Sequence, residues 1–199
     1  MLKLGLTGSI ATGKSTVLNM LADLGVPVFS SDEAVHALYR GAAVAPLEAL
    51  FPGVTVDGVI DRTELAQRLL HTPERLAEVE AIVHPLVRSQ IAAFFEGAEA
   101  AGATLAVADI PLLFERGFDY GLDAVVVTVV DEVTQRRRAL RRPGMTVEKL
   151  DTLLARQMPQ AEKQSRATHV IDTSQPLEVT RDRVVALVEA LRSRAQGEP

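Results

Sequence analysis

Gly8, Gly13, Lys14 and Ser15 fill the spacing G-x-x-x-x-G-K-[ST], and each fixed position has a physical task. Glycine permits backbone angles that turn consecutive N–H groups inward onto an anion. A helix opening at Lys14 adds its unpaired N–H groups and the positive end of its dipole. Lys14 brings a mobile point charge to the terminal phosphates of ATP, and the Ser15 hydroxyl can ligate Mg²⁺. The segment from Gly8 through Ala11, Thr12, Gly13, Lys14 and Ser15, running on to Thr16, therefore reads as a loop that holds ATP phosphates, with Lys14 also catalytic.

Several nucleotide-binding classes share such a loop. A switch GTPase needs an N-K-x-D motif, yet Asn19 is the only asparagine; a transporter-type ATPase needs an L-S-G-G-Q segment, yet no Gly-Gly pair occurs. Kinases of small metabolites or nucleotides remain, with a non-catalytic ATP-sensing module as the reading from another class.

Three further groups have chemistry to offer. Asp32 follows the apolar run Val26 to Phe29, where a doubly wound sheet places its ligands. Its carboxylate can accept a proton from an acceptor hydroxyl or help hold Mg²⁺. It also suits the first turn of a helix, with Ser30 and Glu33 forming a capping box. Asp109 ends the run Leu105 to Ala108 and has the position of a water-mediated Mg²⁺ ligand or of a plain loop aspartate. Between Arg136 and Arg142 five of seven residues are arginine, and Arg138 and Arg142 are spaced to share a helix face. With Pro143-Gly144 as a hinge they read as a lid closing over ATP phosphates, or as a solvated basic face. His84 beside Pro85 reads as a kink or cap, and His36, His71 and His169 are too scattered for a metal site.

The elements that must position these groups alternate. Leu2 to Leu6 reads as a strand, Lys14 to Leu24 as a helix with Val17, Leu18, Leu21 and Leu24 at three-and-four spacing, Val26 to Phe29 as a second strand, and a helix runs on through Tyr39. Gly41 to Gly58 breaks up around Pro46 and Pro52. Helices are expected at Arg62 to Leu70 and Pro73 to about Glu96, then strands at Thr104 to Asp109 and Ala124 to Val130. An arginine-rich helix, a helix from Val147 to Met158, a strand at His169 to Ile171, a helix from Pro176 to Ala195 and a polar tail from Arg194 to Pro199 complete the chain. The alternation predicts an α/β fold with a P-loop NTPase-type parallel sheet flanked by helices.

Composition agrees with an enzyme-sized unit. The 199 residues are 47% hydrophobic and 24% charged, enough to bury a core. A net charge of -5 argues against coating nucleic acid. The absence of cysteine excludes disulfides and thiolate chemistry. No apolar stretch of about 18 residues occurs, and the chain reads as cytoplasmic.

The loop Gly5 to Thr16, the aspartate turn at Asp32, Ile82-Val83-His84-Pro85-Leu86-Val87-Arg88, Pro111-Leu112-Leu113-Phe114-Glu115 and Val170-Ile171-Asp172 together resemble the dephospho-CoA kinase family over nearly the whole chain. The resemblance implies phosphorylation of the ribose 3′-hydroxyl of dephospho-CoA by Mg-ATP, the final step of coenzyme A biosynthesis. Nucleoside and nucleoside-monophosphate kinases are the alternative within the class. It implies Asp32 as general base, His84, Arg88 and Leu112 on the acceptor side, and Arg138 and Arg142 as lid arginines, with Arg141 competing with Arg142. It further implies one kinase unit: residues 1–40, 100–135 and 166–199 as the nucleotide-binding core, 41–99 as a helical acceptor-binding insertion and 136–165 as an arginine-bearing lid. The partner is a small molecule, with no nucleic acid or membrane, in a monomer or small homo-oligomer. Three departures stand out. Ser30 replaces the first aspartate of the family's D-A-D turn, Ser9 and Ala11 replace loop glycines, and Pro143 stands where an acid often follows the arginine.

Overall fold

The computed structural model describes residues 1–196, and two compact units divide it, one formed by Met1–Phe29 with Phe95 onward and the other by Ser30–Phe94. In the first unit β1 (Leu2–Gly8) leads into α1 (Lys14–Asp23), then β2 (Val28–Ser30) reaches the boundary. The second unit holds α2 (Ser31–Leu38), α3 (Val44–Leu50), the strands β3 (Thr55–Val56) and β4 (Val59–Ile60), and α4 (Arg62–His71). A 3₁₀ turn at Pro73–Arg75 precedes α5 (Leu76–Ala100), which runs through the boundary at Phe94. Back in the first unit follow β5 (Leu105–Asp109), α6 (Leu113–Arg116), β6 (Ala124–Val129), α7 (Glu132–Leu140), α8 (Val147–Ala155), α9 (Gln160–Ser165), β7 (His169–Asp172) and α10 (Leu177–Gln196).

The main sheet has the order β2-β5-β1-β6-β7. β1 runs parallel to β5 on one side, Leu4 opposite Val107, and parallel to β6 on the other, Leu6 opposite Val126. Central parallel strands are covered on both faces and hence largely apolar, as β5 is from Leu105 to Ala108, with every residue of the strand buried. Leu4, Leu6, Val107 and Val126 pack with Val17 and Leu21 of α1 and with Val184, Val188 and Leu191 of α10. The second unit has its own core of Leu38, Leu47, Phe51, Val54, Ile60, Leu65, Val79 and Val83.

Several boundaries differ from the sequence reading. The stretch 41–58, expected to be irregular, contains α3 and a β3–β4 hairpin. Pro46 sits in the first turn of α3, where no N–H is needed by the helix. Asp57 and Gly58 both have positive φ, 50° and 78°, the pair of left-handed residues that a two-residue hairpin turn requires. The helix expected from Pro73 continues to Ala100 and takes Pro85 into its interior, so His84 and Pro85 form neither cap nor boundary. Val147 to Met158 is shorter than expected, because Pro159 divides α8 from α9. The start of the polar tail is helical, since α10 extends to Gln196, and its last three residues lie outside the described residues. No helix among the described residues is long and apolar enough to cross a membrane.

Candidate active site

β1 ends at Gly8 and α1 begins at Lys14, so the expected loop joins the middle strand of the sheet to a helix N-terminus. The two fixed glycines are required for different reasons. Gly13 has φ 86° and caps α1 in the left-handed region, which side chains resist. Gly8 is limited by space, since a Cβ there would lie 2.2 Å from Thr128 Oγ1 and 2.6 Å from Thr12 Oγ1. Those hydroxyls are 2.7 Å apart and fully buried, and Thr12 also reaches the Ser9 carbonyl at 2.8 Å. Ala11 takes a left-handed φ of 62° without being glycine. Its methyl group is buried against Ala139 and Leu150, with Ile10, Met145 and Leu154 beside them.

Lys14 and Asp109 form an ion pair. The carboxylate is buried at the end of β5 and the lysine side chain is only 13% exposed. Ser15 and Thr16, in the first turn of α1, are exposed. A cavity of about 360 Å³ opens beside the loop, lined by Ala11, Gly13, Thr16, Arg138 and Arg142. Arg138 donates to Thr173 Oγ1 at 2.9 Å and to the Thr173 carbonyl at 2.8 Å, and Thr173 Oγ1 in turn donates to the Thr12 carbonyl at 2.8 Å. Arg138 is thereby fixed to the end of β7. Arg142 lies beyond the Arg141 C-cap of α7, so the two arginines do not share a helix face as expected. They reach one cavity because the chain turns there, Arg142 N–H bonding the Ala139 carbonyl at 3.0 Å.

The structure thus brings Gly8, Ala11, Thr12, Gly13, Lys14, Ser15, Thr16, Asp109, Arg138 and Arg142 into one region of the first unit. Leu112 is the N-cap residue of α6, and the preceding Pro111 carbonyl accepts from Thr7 Oγ1 at 3.2 Å. Asp32, His84 and Arg88 belong to the other unit. Asp32 is exposed in the first turn of α2, whose N-cap Ser30 accepts from the Glu33 N–H at 3.3 Å. His84 and Arg88 are partly buried one turn apart on α5, on the same side of that helix.

Sequence reasoning missed Thr128, Thr173, Gln175, Leu177 and Thr180, the last four lining the cavity, and Gln135 and Gln157, which bond Ile10. The polar strand residue Thr128 inside a valine run was the one available signal, since a buried hydroxyl needs a partner.

A parallel sheet whose middle strand delivers a glycine loop to a helix N-terminus, with a lysine opening that helix and a buried acid ending the neighbouring strand, defines a P-loop kinase fold. The comparisons are more particular. The dephospho-CoA kinase family model matches residues 2–178. The dephospho-CoA kinase of Rhizobium meliloti (strain 1021) is 52% identical over 193 residues, covering 97% of this chain and 100% of that one. A crystal structure of a Thermus thermophilus protein superposes with a TM-score of 0.78 at 36% identity, over 95% of this chain and 96% of the other. The dephospho-CoA kinase from Campylobacter jejuni shares the fold, TM-score 0.68 at 23% identity, over 95% and 96%. This chain belongs to the dephospho-CoA kinase family.

Proposed function

We propose that the protein transfers the γ-phosphoryl group of Mg-ATP to the ribose 3′-hydroxyl of dephospho-CoA, giving CoA and ADP. The observation that carries this reading is the 52% identity, over 97% of this chain, with a dephospho-CoA kinase. The loop geometry supports it by offering a donor site of the kinase kind. In this reading the Gly8–Ser15 segment and Thr16 hold the phosphates, and the adenosine end of ATP occupies the cavity beside Thr173, Gln175, Leu177 and Thr180. Asp32 takes the proton of the acceptor hydroxyl as its oxygen attacks phosphorus, and ADP leaves. Arg138 and Arg142 stabilise charge on the transferring group, while His84, Arg88 and Leu112 contact the acceptor. Residues 41–99 serve as the acceptor region and 136–165 as the lid.

The donors suit Mg²⁺. Among the described residues no cluster of three His, Cys, Asp or Glu could cage a metal by itself, and Mg²⁺ is usually held by one or two protein oxygens plus water and substrate phosphates. The Ser15 hydroxyl and the Asp109 carboxylate are such hard oxygen donors, and Mg²⁺ bound there supplies charge neutralisation of the phosphates. We place the protein in the cytoplasm, as a monomer or small homo-oligomer acting on a small molecule.

Following CoA formation from Mg-ATP and dephospho-CoA tests the reading, with nucleosides and nucleoside monophosphates as competing acceptors. Phosphorylation of dephospho-CoA alone is expected. Preference for another acceptor, or ADP release that ignores the acceptor, would overturn it.

A further inference from the structure

Ile10 sits in the phosphate loop just before the strained Ala11, and both of its peptide groups are bonded by glutamines remote in sequence. Gln157 Oε1 accepts from the Ile10 N–H at 2.9 Å, and Gln135 Nε2 donates to the Ile10 carbonyl at 2.8 Å. Neither amide is free to turn over. Gln135 Oε1 accepts from Gln160 Nε2 at 2.9 Å, and Gln160 Oε1 accepts from the Val130 N–H at 3.1 Å. A backbone N–H can only donate and a carbonyl can only accept, so the orientation of each amide is dictated by its neighbours. Gln135 is itself only 4% exposed.

The chain segment carrying Gln157 is fastened in turn. The adjacent Met158 N–H donates to Glu115 Oε1 at 2.9 Å, and that oxygen lies 2.7 Å from the ammonium of Lys163, which is wholly buried. The largely buried Glu115–Lys163 pair, the connector between α8 and α9, and α7 therefore converge on one loop residue. A side chain at Ala11 makes its left-handed turn unfavourable on local grounds, so the turn persists only where its surroundings over-determine it.

We propose that Gln157 and Gln135 are positioning residues for phosphoryl transfer, holding Ile10 from its N–H and carbonyl sides so that the phosphate loop is set before ATP arrives. This rests on the reading of the loop as the ATP site. The chemistry demanded differs at the two positions. At 157 an acceptor is needed, which a carboxylate supplies; at 135 a donor is needed, and a carboxylate there would oppose the Ile10 carbonyl.

Calorimetric titration of the full chain with Mg-ATP, at a salt concentration that screens the added charge, tests the proposal with single-residue variants. Gln157→Leu and Gln135→Glu are expected to weaken binding about tenfold, the effect of leaving a partly buried backbone group of the loop unpaired, whereas Gln157→Glu stays within about threefold. The KM for dephospho-CoA is expected to stay unchanged in all three. A purely structural role predicts lower melting midpoints with unaltered Mg-ATP affinity, and that result would overturn the proposal, as would Gln157→Glu binding as weakly as Gln157→Leu. If Gln135→Glu does not fold, the Gln157 pair carries the same comparison. Wild-type protein that binds no Mg-ATP would overturn the functional reading itself.

Discussion

At Gly8 the obstacle to a side chain is a neighbour that cannot step aside. An added Cβ would lie 2.9 Å from the Thr128 carbonyl oxygen as well as against the two hydroxyls, and the carbonyl belongs to β6, hydrogen-bonded in the sheet. Gly8→Ala is expected to destabilise the fold by about 1–3 kcal/mol, the usual effect of overpacking, read from denaturant melts, and to weaken ATP binding with it. Ala11 shows the opposite balance. Its left-handed angle costs roughly 1–2 kcal/mol, which burial of its methyl, about 0.8 kcal/mol, and a less flexible unfolded chain, about 0.4–1 kcal/mol, largely offset. Alanine is therefore tolerated where the family often carries glycine. Asp32 faces no such constraint, being exposed in a helical first turn that Ser30 already caps. Asp32→Asn is expected to lower kcat at least about 100-fold while the Mg-ATP dissociation constant holds. Turnover within a few-fold of wild type would remove Asp32 from the base role.

Elements were legible where a long period or an invariant geometry marked them. β1, the loop and α1 followed from a short apolar run, two glycines and apolar residues at helical spacing. α3, α6 and α9 were missed for a common reason. Each has seven residues or fewer, too short for periodicity to appear or for intrinsic propensity to sustain a helix, and packing does the rest. The hairpin was missed although Asp57-Gly58 is a strong turn signal, because two-residue strands leave no alternation to read. Carboxylates tie down other element ends. Asp131 caps α7 by accepting from the Thr134 N–H at 2.8 Å, and that bond holds its carboxyl below the usual range. Glu48 accepts from the N–H groups of Gly53 and Thr55 and is lowered chiefly by the first. A carboxyl lowered in the folded state binds protons more weakly there than in the unfolded chain. Its stabilisation is complete above the ordinary carboxylate pKa, about 4, and is lost as pH falls through the lowered value. Melting midpoints are expected to drop on acidification below that range. Asn caps helices as well as Asp but does not titrate, so Asp131→Asn should flatten the acid slope.

Across the whole molecule the donor groups Lys14, Asp109, Arg138 and Arg142 fall into one compact unit, while of the inferred acceptor groups Asp32, His84 and Arg88 fall into the other and Leu112 lies in the donor unit. Changes at His84 and Arg88 should therefore separate kinetically from changes in the loop. His84→Ala and Arg88→Ala are each expected to raise the KM for dephospho-CoA about tenfold or more, as loss of a hydrogen bond to a charged group does, with Mg-ATP affinity within about twofold. Weakened Mg-ATP binding in both would count against that division. The loop itself was readable because its fixed residues lie within one short segment at set spacing. Thr128, Thr173, Gln135 and Gln157 were not, since only the fold brings residues from four later segments to it. Loop residues also stand on the middle strand of the sheet, for β1 is hydrogen-bonded on both sides, to β5 and to β6. Amides in such a strand exchange with solvent only when the structure opens globally, unlike those of edges and loops. The base of the phosphate loop is accordingly expected to be among the slow-exchanging amides of the described residues, left in place by local openings elsewhere.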